Sequence, residues 1–191
     1  MRFVPTALAA LSLVVGAPLA AQTRPDPSAL LAAQREAMGA FARMDGVWRG
    51  PAWTITPNGR HEVTQTERIG PFLSGSVRVI EGRGYNEDGS VGFNALGIIS
   101  FNAASNSYTL SSWAQGYSGV FPFRPTADGY VWEIPAGPGA IIRYTATIHD
   151  GVLREVGERI AGAGPPVQMF EMNLRRVGDT AWPAGDRVPI R

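Results

Sequence analysis

The sequence predicts an all-β protein: an antiparallel up-and-down β-barrel of about ten strands, with one N-terminal helix behind an export leader. Three observations predict it. From residue 47 to residue 177, turn signals such as Pro57-Asn58-Gly59, Asn86-Glu87-Asp88-Gly89, Ala127-Asp128-Gly129, Asp150-Gly151 and Gly162-Ala163-Gly164 mostly recur about ten to twenty residues apart, the spacing of successive short strands. No segment between them is a helical crossover of the length parallel pairing needs, so neighbours pair as hairpins. Helical spacing of apolar residues is confined to one stretch near the start, within 22–46. A meander left open exposes two unpaired edges, and closure removes both. A ten-stranded barrel is wider than the eight-stranded kind that side chains nearly fill, so a lumen is expected.

Taken in order, 1–21 reads as a secretory signal peptide. Met1-Arg2 give a positive start, Phe3 to Leu19 is apolar, and Ala17-Pro18-Leu19-Ala20-Ala21-Gln22 offers small residues for cleavage. The apolar run, interrupted by Pro5, is short of the roughly 20 residues a membrane span requires. No cysteine follows it to carry a lipid, so the expected destination is the periplasm or the outside, with no membrane span in the mature chain. The segment 22–46 holds a linker and the helix. Asp26 caps it, Pro27 sits where its missing N–H costs nothing, and Leu30, Ala33, Ala37, Phe41 and Met44 form one apolar stripe ending at Asp45-Gly46. That stripe suits either a structural plug or a lid over a cavity mouth. The barrel is expected over 47–177 and an irregular tail over 178–191, where Trp182 either packs on the barrel exterior or meets a partner.

Composition removes whole classes of chemistry. There is no cysteine, so thiol nucleophiles, disulfides, iron–sulfur clusters and Cys-zinc sites have no ligands. All 17 basic residues are arginine, so Schiff-base chemistry and a P-loop lysine have no candidate. Basic and acidic residues balance at 17 and 16 with no basic block, which argues against a nucleic-acid surface. Gly82-Arg83-Gly84 lacks the third glycine of a dinucleotide fingerprint and reads as a strand bulge or bend; no serine sits in a Gly-x-Ser-x-Gly elbow.

The hairpin turns sort the side chains. A two-residue Asp150-Gly151 turn pairs Ile148 with Leu153, Ala146 with Glu155, Tyr144 with Gly157 and Ile142 with Arg159 on the more apolar face. The opposite face pairs Arg143 with Glu158, which reads as a solvated cross-strand ion pair. The Thr126–Gly129 loop pairs Phe123 with Trp132, and Phe170 shares a face with Met172 and Leu174. Within this interior Glu155 and Arg159 are the anomalies, because a lumen-facing polar group needs a partner. They anchor a ligand headgroup among Phe123, Trp132, Tyr144 and Phe170, form an ion pair, or touch water at the rim. Glu67, which shares a face with Val63, Gln65 and Ile69, is a weaker candidate of the same kind. In 95–101 both faces are apolar, so the direction of Trp113 stays open.

Asp45-Gly46-Val47-Trp48, following a helix and opening the first strand, resembles the Gly-x-Trp signature of the lipocalin and calycin superfamily. That resemblance implies that Trp48 closes one end of the barrel and that an arginine late in the last strand packs over it. Arg176 matches that place, with Arg175 as the fallback, and cation–π attraction would hold it there. Trp48-Arg49-Gly50, the run Glu67 to Gly75 and the run Leu96 to Phe101 are similar to a family of secreted bacterial proteins carrying a calycin-like domain of unknown function. The likeness implies fold and export. Related calycin barrels bind fatty acids, retinoids or haem.

The function expected from this reading is non-catalytic binding of a small apolar ligand in the lumen, with no cofactor or metal. Its contacts would be Glu67, Phe123, Trp132, Tyr144, Glu155, Arg159 and Phe170. Three alternatives stand beside it. One is an acid/base enzyme using Glu155 or Glu67 with Tyr144. Another is haem binding, for which His61 is better placed than His149. The third is an envelope protein that works through its outer surface.

Overall fold

The computed structural model describes residues 26–182; the leader reading over 1–21 and the tail beyond Trp182 lie outside the described residues. The chain runs through helix α1 (Pro27–Met38) and a 3-10 turn (Gly39–Met44). Ten strands follow: β1 (Gly46–Thr56), β2 (Gly59–Phe72), β3 (Val77–Tyr85), β4 (Val91–Asn102), β5 (Ser107–Ala114), β6 (Tyr117–Pro125), β7 (Gly129–Pro135), β8 (Ala140–His149), β9 (Val152–Ala161) and β10 (Val167–Gly178). Each strand pairs antiparallel with its sequence neighbour, and β1 pairs with β10 to close the barrel. Among the described residues no helix is long and apolar enough to cross a membrane.

The turns place the strands where the sequence puts them. Asp150 and Gly151 take φ of 49° and 71°, the primed conformation whose twist matches its flanking strands. The β8–β9 register follows, with Ile148 opposite Leu153, Ala146 opposite Glu155 and Ile142 opposite Arg159. Across β6 and β7, Phe123 faces Trp132. Arg143 lies opposite Glu158, but its guanidinium turns the other way and bonds Glu133 on β7 at 2.8 Å. The expected Arg143–Glu158 ion pair is therefore replaced by one to the strand on its other side.

One end of the barrel is plugged. Asp26 caps α1 by accepting from the Ser28 N–H at 3.0 Å, and Pro27 occupies the first turn. The helix stops at Met38, and the chain tightens into a 3-10 turn. With three residues per turn, Met38, Phe41 and Met44 then line up on one side and enter the barrel, whereas Leu30 stays exposed. The expected stripe thus deepens along its length: Leu30 is exposed, Ala33 and Ala37 are half-buried, and Phe41 and Met44 are buried where the chain enters the barrel. Phe41 packs on Tyr108 and Phe123 at centroid distances of 5.1 and 5.2 Å. The Tyr108 hydroxyl donates to the Ala37 carbonyl and Arg43 to the Ala127 carbonyl, pinning the plug to the β4–β5 and β6–β7 sides.

Trp48 is 1 % exposed at this end, and its indole N–H donates to the Met44 carbonyl at 2.9 Å. Arg176 lies opposite it across β1 and β10, but does not stack on it. Its guanidinium donates to the Asp45 carbonyl and to Asp179, while the cation–π contacts among the described residues are Arg60 over Trp53 and Arg68 over Trp182. Two nearby oxygen acceptors outbid the ring face for the guanidinium. The buried cation of the plug is Arg78 instead. It is 5 % exposed, grips both Asp45 carboxylate oxygens at 2.6 and 2.7 Å, and donates to the Met38 carbonyl at 2.5 Å. That fork ties β3 to the helix and to the start of β1.

Candidate functional site

Between the plug and the opposite hairpin turns lies a cavity of about 750 Å³, within the range of small-molecule sites. Its wall is built by alternation: every second residue of each strand points inward. Phe121, Trp132, Tyr144 and Phe170 make an aromatic wall across β6, β7, β8 and β10. Trp132 stacks on Tyr144 at 4.2 Å with the planes 12° apart, and Tyr144 meets Phe170 edge-on at 5.7 Å. Gly157 on β9 makes this possible, since a Cβ there would lie 2.8 Å from the Tyr144 ring and 3.0 Å from Phe170.

Two acidic groups face the same space, one within this wall and one across from it. Glu67 on β2 and Glu155 on β9 are 7 % and 6 % exposed, and both line the cavity. Gln65, two residues along β2, donates its amide to Glu67 Oε1 at 2.6 Å. Glu67 Oε2 is buried without a hydrogen-bond partner. Gly82 on β3 leaves room for this carboxyl, since a Cβ there would stand 2.8 Å from Oε1. The Tyr130 hydroxyl and Trp132 indole present their donors to Glu155.

Burial sets the charge of this pair. Desolvation pushes Glu67 up to about 8, with repulsion from Glu155 and Glu81 adding to it and the Gln65 amide opposing it. Desolvation raises Glu155 to about 7, against the donors of Tyr130 and Trp132. Burial and the neighbouring Glu155 drive Tyr144 up to about 12, and Tyr130 is raised by the same causes. Near neutral pH the floor of the cavity therefore holds at least one protonated carboxyl, and both tyrosines remain hydrogen-bond donors.

Six of the seven ligand contacts expected from the sequence line this cavity: Glu67, Phe123, Trp132, Tyr144, Glu155 and Phe170. Arg159 does not. It shares its face with Glu155, yet it sits at the end of β9 opposite Ile142 and Val167, exposed at the open rim. A guanidinium there keeps its hydration instead of entering the lumen. Tyr130 and Gln65 were not among the expected contacts. Tyr130 lies two residues before Trp132 and Gln65 two before Glu67, so the period of two was the signal for each.

The remaining candidates lie apart. His61 is exposed at the cavity mouth, and exposed His149 lies 3.4 Å from Asp128 beside the β8–β9 turn. Among the described residues no three histidine or carboxylate side chains cluster as a metal site. Trp113 points outward, 47 % exposed, into a separate surface groove with Tyr117 and Trp182. Trp182 packs on the barrel exterior over Gly70, edge-on to Phe72 and beneath the Arg68 guanidinium at 4.0 Å.

What the arrangement offers chemically is a mostly apolar chamber, open at one end, with a small polar floor. The geometry stands without help from kinship: no known protein family and no curated protein matches this chain.

Proposed function

We propose that the protein binds a small, largely apolar ligand in the barrel lumen, non-covalently and without turning it over. The observation that carries this reading is the cavity of about 750 Å³ walled by Phe121, Trp132, Tyr144 and Phe170. Burial of apolar surface supplies about 25 cal/mol per Å², and a preformed chamber spares the ordering cost of building one. The polar floor orients the ligand.

The test uses the neutral apolar dye N-phenylnaphthylamine, which brightens on leaving water. Saturable brightening is expected, lost when Phe170→Asp puts a charge into the wall and kept when Trp113→Ala alters the outer groove. Organic extraction of the protein purified from its native cells should release an apolar compound identifiable by mass spectrometry. No brightening together with no extracted compound overturns the reading.

A second reading is an acid/base enzyme working in the same chamber. The carboxyl of Glu155, held near 7, matches the proton affinity such chemistry favours at neutral pH. It requires a turnover, found by an unbiased substrate screen, that Glu155→Gln abolishes.

A further inference from the structure

We propose that the lumen's ligand is an amphiphilic monocation, an apolar chain or ring system bearing one protonated amine, which seats its ammonium head at Glu67 and Glu155. This deepens the lumen-binding reading and rests on it.

Three observations carry the proposal. First, Glu67 is more than nine-tenths buried, lines the cavity and leaves Oε2 with no partner. A buried acceptor left unmade costs about 1–3 kcal/mol, so the site gains from any ligand donor that reaches it.

Second, among the described residues no salt bridge reaches either carboxyl. The chain has no lysine. Arg78, on the inward face of β3 with Ile80 and Gly82, is consumed by Asp45 and the Met38 carbonyl. Arg159 stays at the rim. The contrast with Arg78 and Asp45 matters, because the same barrel supplies a guanidinium even where a structural carboxylate is only half-buried.

Third, the aromatic rings of Trp132, Tyr144 and Phe170 line the cavity with Glu155, so the apolar body of an amphiphile packs beside the carboxyls that would take its head. A carboxylate head would meet two acids and no cation.

Binding of such a head is linked to protons. Before it arrives, burial keeps the pair at least partly protonated; the ammonium favours the ionised carboxylates, so protons leave to the buffer. The other titratable groups facing the pair are Tyr130 on β7 and Tyr144 on β8, which burial keeps neutral, and His61 at the mouth on β2. Glu81, on the other face of β3, is paired with Arg68 and Arg83. The lining residues Phe170 and Met172 of β10 do not titrate.

The experiment displaces N-phenylnaphthylamine from the protein with three probes of equal chain length: dodecylammonium, dodecanol and dodecanoate, each below its micelle concentration. At pH 8 dodecylammonium should compete at a concentration about tenfold or more below that of dodecanol, with dodecanoate weakest. At pH 7 its binding should release protons, read as calorimetric heats that change with the ionisation enthalpy of the buffer. The double variant Glu67→Gln, Glu155→Gln should close the gap between ammonium and alcohol and abolish the proton release, while circular dichroism confirms its fold.

Equal competition by alcohol and ammonium, preference for dodecanoate, or a gap that survives in the double variant overturns the proposal and leaves lumen binding standing. If none of the three probes displaces a dye that does bind, this proposal falls; lumen binding falls with it only where the dye itself fails to brighten and extraction releases no compound.

Discussion

The two halves of the barrel treat buried charge in opposite ways. At the plugged end Arg78 and Asp45 form a two-point ion pair, and the remaining guanidinium donor goes to the Met38 carbonyl. In the lumen Glu67 and Glu155 are as deeply buried as Arg78, yet they face each other's charge, and one Glu67 oxygen has no donor at all. Packing differs in the same sense. Met38, Phe41, Met44 and Trp48 fill the plug, whereas the aromatic wall beyond them borders empty space. The plugged end is thus arranged for stability, and the lumen keeps an electrostatic cost that binding can offset.

The comparison breaks most sharply at Arg78. Arg78→Met leaves the half-buried Asp45 carboxylate without its partner and the Met38 carbonyl without its side-chain donor, and should cost about 2 kcal/mol, read as a lower urea midpoint. A loss below about 0.5 kcal/mol, the level of an ordinary surface change, would show that the plug does not depend on this pair.

The lumen pair should do the reverse. Carboxyls raised in the folded state to about 8 and about 7, against 4.5 in the unfolded chain, let the folded protein hold more protons. Stability contributed by the protonated forms is complete below about pH 4.5 and is lost as pH rises through about 7 and 8. Urea midpoints should therefore fall from pH 5 to pH 9. Glu67→Gln should flatten that slope and, at pH 9, exceed the parent by on the order of 2 kcal/mol. A parent whose stability is level over this range would contradict the desolvated pair.

The smallest effect belongs to the outer wall. Trp182→Ala removes the ring under Arg68 and uncovers Gly70. It should cost about 1 kcal/mol and leave dye binding in the lumen unchanged, since Trp182 borders only the external groove. A shift in lumen affinity would mean that the two cavities communicate through β2 and β3.

Several parts of this arrangement were legible residue by residue. The Asp150-Gly151 turn set the β8–β9 register, and the period of two then placed Tyr144, Glu155 and Trp132 on one inner face. Other parts were not. The face of Trp113 was ambiguous because β4 opposite it is apolar on both sides, with Leu96 half outside and Ile99 fully buried. The Gln115-Gly116 turn carries φ of 50° and 85°, yet its first residue is not among the usual turn formers. Arg78 carried no signal in the sequence, because its partner Asp45 lies 33 positions away.

Local chemistry within the chain was enough to determine strand succession, antiparallel pairing and the inward set of each hairpin, since turn geometry and side-chain alternation act over a few residues. Only the closed structure decided which inward polar groups are compensated. Arg159 and Glu155 share a face four residues apart, but one reaches the wet rim and the other lies in the dry middle. Desolvation depends on depth inside the finished barrel, and depth arises only when β1 meets β10 and the 3-10 turn closes the end.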